Sequence, residues 1–194
     1  MAIAEAEIQS NIQSNILPGM KITEGELLRL PKDGRKWELV DGRLKEVPTK
    51  FEHDQIIFRL LMLLGPYMMD QGGISTGQAG FRMTGGNIRV PDISFTRKAR
   101  LPGGQVPNDF GNVAPDLCIE IISPSEERAD MARKVREYFA GGAEQVWHIF
   151  PEAEQIVVFT SPTETQTFSA DDIIDAGGIL PGFSCRVGDI FTTE

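Results

Sequence analysis

The stretch Leu117-Cys118-Ile119-Glu120-Ile121-Ile122 is apolar on both of its alternating faces except at one position. Leu117, Ile119 and Ile121 share one face; Cys118, Glu120 and Ile122 share the other. A strand of this kind belongs at the covered centre of a sheet. Glu120 thus falls where a carboxylate is costly unless a cation stands beside it, whether a metal ion, a lysine or both. The flanking pattern predicts further elements. Thr23 and Glu26 form a capping box ahead of Leu27, Leu28 and Leu30, so a short helix starts there and Pro31 ends it. Two strand-like runs, 36–40 and 43–47, flank Asp41-Gly42, a strong hairpin signal. Glu38 lies in the first of them, facing opposite to Trp37 and Leu39. Over 51–70, His53, Ile57, Leu60 and Leu64 form one helical stripe, with Gly72-Gly73 as the stop.

Residues 74–83 and 88–95 read as strands joined at Gly85-Gly86-Asn87. Pro91-Asp92 interrupts the second, which is expected to bend or approach an edge there. The Gly- and Pro-rich stretch 97–116 predicts a long surface loop, a kind often functional. After the central strand, Ser125 is expected to cap a helix over 126–140, ended by Gly141-Gly142. Residues 144–150 and 155–160 predict two strands around the turn Pro151-Glu152-Ala153, and 165–168 another. Leu180-Pro181-Gly182-Phe183 reads as an aromatic-packed turn before residues 187–191. The first 20 residues, with Ile8-Gln9-Ser10-Asn11 echoed in Ile12-Gln13-Ser14-Asn15, read as a tail or strap. Residues 21–194 read as one α/β (α+β) domain with a mixed sheet.

Composition narrows the choices. A chain of 194 residues suits one sizeable core, and 41% hydrophobic with 24% charged residues is ordinary for a globular protein. Cys118 and Cys185 lack metal-ligand spacing and read as reduced core residues. No segment resembles a signal peptide or a membrane span, so a cytoplasmic protein without membrane partners is expected. The net charge of −9 argues against a nonspecific nucleic-acid binder, though a local basic rim remains compatible.

Asp92, in Val90-Pro91-Asp92-Ile93, and Glu120 fall in strands. Carboxylates on neighbouring strands can share a hard divalent cation that keeps waters for a substrate phosphate to replace, with the Ile121 carbonyl as a further ligand. On the following helix, Met131, Val135, Tyr138 and Phe139 form the apolar arc. Lys134 lies roughly 40° from Tyr138 on its shoulder. A lysine there can return its ammonium to the sheet, to help deprotonate a metal-bound water or steady charge on a phosphate. His53, at a helix start, can face a cleft. Ser123 and Ser125 read as turn and cap residues, since no His-Asp relay accompanies them.

The ordered set Val90-Pro91-Asp92, Ile119-Glu120-Ile121-Ile122-Ser123-Pro124-Ser125, Lys134, Tyr138 and Gly141-Gly142-Ala143-Glu144-Gln145-Val146-Trp147 resembles the Uma-type family within the PD-(D/E)xK nuclease superfamily. The resemblance covers residues 22–191, including Trp37-Glu38-Leu39-Val40-Asp41-Gly42 and Leu180-Pro181-Gly182-Phe183. It implies a restriction-endonuclease-like core, a mixed sheet flanked by helices. Asp92 and Glu120 match the motif acids and Glu38 the upstream acid. The superfamily lysine would stand at Ile122; the family's lysine matches Lys134 instead.

The expectation is a metal-dependent endonuclease hydrolysing phosphodiester bonds of DNA. Asp92, Glu120 and Ile121 would bind Mg²⁺ or Mn²⁺; Glu38, Lys134 and His53 would complete the catalytic set. The resemblance also implies a homodimer. The alternative is a non-catalytic module of the same fold that binds nucleic acid or a protein partner, favoured by the net charge, by Ile122 in the lysine position and by the Ile-bearing N-terminal tail. A third, weaker reading is hydrolysis of a small phosphorylated substrate; no Gly-rich phosphate loop opens a helix, which argues against a nucleotide-triphosphate enzyme.

Overall fold

The computed structural model of the protein describes residues 16–31, 33–47 and 50–191. The duplicated segment 8–15 lies outside them. The helices are α1 (Glu24–Leu27), α2 (Phe51–Met68) and α3 (Arg128–Ala140). The strands are β1 (Lys36–Val40), β2 (Arg43–Val47), β3 (Gly72–Ser75), β4 (Phe81–Arg82), β5 (Ile88–Arg89), β6 (Ile93–Arg97), β7 (Leu117–Ile121), β8 (Gln145–Phe150), β9 (Gln155–Phe159), β10 (Thr165–Ser169), β11 (Ile173–Asp175) and β12 (Ser184–Arg186).

The apolar run 117–121 is indeed central: the larger sheet has the order β10-β9-β8-β7-β6-β3. It is mixed, with β7 and β8 parallel and the other neighbours antiparallel. The α3 crossover joins the parallel pair, as parallel strands require. The two faces of β7 meet different helices. Leu117, Ile119 and Ile121 pack with Ile56, Leu60, Leu64 and Met68 of α2. Cys118 packs with Val135 and Tyr138 of α3. Both faces of the sheet are therefore covered, which explains the doubly apolar pattern of β7.

A second sheet, β2-β1-β5-β4, stands beside the first. Its β1–β2 hairpin turns at Asp41 (φ 52°) and Gly42 (φ 69°), both left-handed, as a two-residue turn of this type requires. The expected bend at Pro91-Asp92 is the link between the sheets: β5 pairs with β1 and β4, and β6 with β3 and β7. It does not lie at a sheet edge. A proline without an N–H suits a residue that leaves one ladder for another.

Three expectations change. The run 74–83 is not one strand: β3 ends at Ser75, and β4 begins only at Phe81. Gly80 lies in the gap, where a Cβ would come within 2.7 Å of Ile88 and Phe110. Gly72-Gly73 do not stop α2 but open β3; the helix ends where Met69 turns extended and Asp70 takes φ 65°. Ser125 does not cap α3. Its hydroxyl lies 3.1 Å from that of Ser123, and the helix starts after Glu127 without a side-chain cap. The turn Glu126 N–H to Ser123 carbonyl uses up the residues that would have formed the cap.

Candidate functional site

The site lies where β1, the β5–β6 link, β7 and α3 converge. Alternation in β1 puts Lys36 and Glu38 on one face. Lys36 Nζ lies 2.6 Å from Asp92 Oδ1. Asp92 Oδ2 accepts from the Ile121 N–H at 2.8 Å. In a strand the N–H and C=O of one residue point to the same edge, so the Ile121 carbonyl faces the same side, beyond the last β6–β7 pair, Ile93 with Ile119.

Glu120 points from β7 toward α3. Its Oε1 accepts from the Tyr138 hydroxyl at 2.5 Å, and its Oε2 lies 3.2 Å from Lys134 Nζ. Lys134 thus runs along the helix boundary and back to the sheet. It also stands 3.3 Å from Glu126 and 3.8 Å from Glu38. Glu38 pairs with Arg89 at 2.8 Å and accepts from the Val90 N–H at 3.2 Å. Arg89, fully buried, also bonds Glu137 at 2.5 Å and reaches Asp130 at 3.3 Å. Asp130 is tied in turn to Lys45 and Arg133.

Within the site, the buried acids Glu38, Asp92 and Glu120 are matched by the buried cations Lys36, Arg89 and Lys134. Burial raises each carboxyl, and the cations oppose it to different extents. Lys134, Arg89 and Lys36 bring Glu38 below its ordinary range; Lys36 does the same for Asp92. At Glu120 burial wins over Lys134, with Asp92 adding repulsion, so its carboxyl stays above the ordinary range. Lys134 is desolvated too, yet Glu120, Glu38 and Glu126 push its ammonium up and keep it charged.

Asp92, Glu120, Ile121 and Lys134 open on one cavity of about 490 Å³. Lys45, Lys50 and Arg133 line it together with Glu46, Glu126, Glu127 and Asp130, and His53 forms another wall. A neighbouring cavity of about 530 Å³, bearing Arg128, shares Lys50, His53, Ser123 and Glu126 with it. The two form one groove with His53 at the junction. Glu38 stands behind this groove rather than on it, held by Arg89.

Among the described residues, no group of three or more His, Cys, Asp or Glu side chains is disposed to hold a metal. Asp92, Glu120 and the Ile121 carbonyl instead offer an all-oxygen set with two carboxylates. That composition fits a hard cation that keeps several waters, and not a closed protein cage.

Sequence reasoning missed Lys36, Arg89 and Tyr138 as parts of this site. The spacing of Lys36 and Glu38 was the one available signal for the lysine. Tyr138 was visible as an apolar-arc residue and as one position of the family pattern, without a role; its hydroxyl needs a partner when buried. Among the described residues no helix is long and apolar enough to cross a membrane.

Residues 25–188 match the family Uma2, described as "Putative restriction endonuclease". The comparison with curated proteins found no match. A solved structure described as a putative nuclease belonging to DUF820, from Anabaena variabilis ATCC 29413, is similar with a TM-score of 0.71 and 24% identity. The similarity covers 88% of this chain and 97% of that one, and establishes the shared fold. With the family match spanning most of its length, the chain belongs to the Uma2 family.

Proposed function

We propose that the protein is a metal-dependent endonuclease hydrolysing phosphodiester bonds of DNA, with two copies acting on the two strands. One observation carries the reading: Asp92 and Glu120, from adjacent segments of the sheet, open on one cavity with Lys134 3.2 Å from Glu120. Mg²⁺ or Mn²⁺ is the fitting cofactor, held by Asp92, Glu120 and the Ile121 carbonyl. When bound, such a cation supplies Lewis-acid polarisation of a phosphate oxygen and a more acidic water.

The chain's own groups divide the remaining work. Lys134 stays an ammonium, because Glu120, Glu38 and Glu126 hold its proton. It therefore serves charge stabilisation on the phosphate better than proton removal. Of Asp92 and Glu120, Glu120 is the better proton acceptor, since burial raises it while Lys36 lowers Asp92. Tyr138 fixes Oε1 of Glu120 and leaves Oε2 toward Lys134. Glu38 tunes Lys134 from behind. His53, Lys50 and Arg128 line the groove along which a phosphate backbone would lie.

The test is cleavage of plasmid and linear DNA by the purified protein with Mg²⁺ or Mn²⁺. Cutting that stops on chelation, and is lost in both Asp92→Ala and Glu120→Ala, supports the reading. Cutting retained in both variants overturns it. Sedimentation tests the dimer.

One observation favours a second reading, a non-catalytic module that binds nucleic acid or a protein partner. Lys36 and Lys134 already neutralise Asp92 and Glu120 without any further cation. That reading predicts no cleavage with either metal and unchanged partner binding in Asp92→Ala.

A further inference from the structure

Each acid of the proposed cation site meets a lysine at the oxygen that a cation would take. Asp92 Oδ2 accepts from the Ile121 N–H, and its Oδ1 lies 2.6 Å from Lys36 Nζ. Glu120 Oε1 accepts from the Tyr138 hydroxyl, and its Oε2 lies 3.2 Å from Lys134 Nζ. The two lysines are not held alike. A hydrogen bond from an ammonium to a carboxylate usually spans about 2.7–2.9 Å. Lys36 is drawn fully onto Asp92, whereas Lys134 stands off Glu120. The reason is a second acid: Glu126 Oε1 lies 3.3 Å from the same Nζ. The Lys134 ammonium is thus shared almost evenly between Glu120 and Glu126.

Local structure puts Glu126 there. A helical side chain leans toward the helix N-terminus, so Lys134 of α3 reaches back over the residues that precede the helix. Those residues are held in a turn by the Glu126 N–H, which donates to the Ser123 carbonyl at 2.9 Å. The Glu126 side chain is 19% exposed, against 3% for that of Lys134, and lines both parts of the groove. Glu38 is also near Lys134, at 3.8 Å, but its two oxygens are taken by Arg89 and by the Val90 N–H.

We propose that Glu126 is a positioning residue that receives Lys134 when Glu120 takes a divalent cation. This inference rests on the nuclease reading and concerns how its site is loaded. An ammonium and a divalent cation on one carboxylate oxygen repel each other. At Glu126 the ammonium keeps a partner and stays on the cavity wall, where it can still meet a phosphate. Without Glu126 it has no second seat, and it competes with the cation for Glu120.

The test is the dissociation constant of Mn²⁺, read from the electron paramagnetic resonance signal of the free ion, for full-length variants with one DNA duplex present. Glu126→Gln should weaken binding by about 10-fold, the low end of what a hydrogen bond between charged groups contributes. Glu127→Gln removes the same charge from an exposed acid of the same cavity and should change it by about 2-fold at most. In a Lys134→Met background the Glu126→Gln loss should vanish, because there is no ammonium to reseat. Equal losses in Glu126→Gln and Glu127→Gln would reduce Glu126 to one more negative charge. An undiminished loss in the Lys134→Met background would have it act on the cation directly. Either result overturns the proposal and leaves the nuclease reading standing. If Lys134→Met does not fold, the comparison of Glu126→Gln with Glu127→Gln decides alone. No Mn²⁺ binding by the wild type would overturn the nuclease reading, and this proposal with it.

Discussion

Glu120 is 3% exposed, and its stability rests on the groups at its two oxygens, Tyr138 and Lys134. Replacing Lys134 by Met leaves a carboxylate facing Glu38 and Asp92 without its nearest cation. Removing one member of a buried pair costs about 3–5 kcal/mol. Because burial already raises the Glu120 carboxyl, a proton can replace the lost cation as the medium is acidified. The deficit of Lys134→Met in urea unfolding should therefore be largest at neutral pH and shrink toward pH 5. A deficit independent of pH would contradict the assignment. His148, beside Glu120 in the β7–β8 register, gives a second test. Burial, and then the Lys134 charge, hold its pKa at about 4. The unfolded chain protonates it near 6.5. Between those values the unfolded state binds the extra proton. The stability from neutral His148 is thus present above 6.5 and lost as pH falls through 4, on the order of 3 kcal/mol. His148→Phe, among Phe150 and Phe159, should remove that part of the acid sensitivity. Unfolding midpoints of the two proteins at pH 7 and 4.5 measure it.

At the scale of elements, the β1–β2 hairpin brings Lys36 and Glu38 to the site from far away in sequence. Its turn needs positive φ at both central positions. Gly42→Ala should cost about 1 kcal/mol of stability, as a side chain in the left-handed region does. Equal denaturation midpoints for variant and wild type would contradict the turn assignment. This hairpin was fully legible, since Asp-Gly between alternating runs is a local signal. The bodies of α2 and α3, though not their ends, and β7 were legible too, because their periodicity is set by the faces they bury. The partition into two sheets was not legible. Pro91-Asp92 announced a break in a strand, but nothing local says that the chain changes sheets there. The start of α3 was misread for a related reason: Ser125 had the chemistry of a cap, and the Ser123–Glu126 turn took its place. Lys36 and Arg89 were missed because their partners stand 56 and 41–51 residues away. A single sequence carries no sign of such pairings, whereas Asp92, Glu120 and Lys134 were named from strand and helix patterns and then joined by a family pattern.

For the whole molecule, the net charge is −9, and the groove carries Lys45, Lys50, Arg128 and Arg133 among the carboxylates of Glu46, Glu52, Glu126, Glu127, Asp130 and Glu152. DNA held by those basic residues should bind with steep salt dependence, each phosphate contact adding about −0.9 to the slope of log K against log salt. Lys50→Ala should lower that slope by about one contact, read by anisotropy of a labelled duplex across a salt series. An unchanged slope would move the DNA path off this groove. The proposed nuclease requires Asp92 and Glu120 together to hold a divalent cation on the cavity. A calorimetric titration of Mn²⁺ into the wild type and Glu120→Ala, each with a DNA duplex present, tests this. Saturable binding to the wild type that disappears in the variant is the predicted result. The same heats in both proteins, or no binding to either, would contradict it.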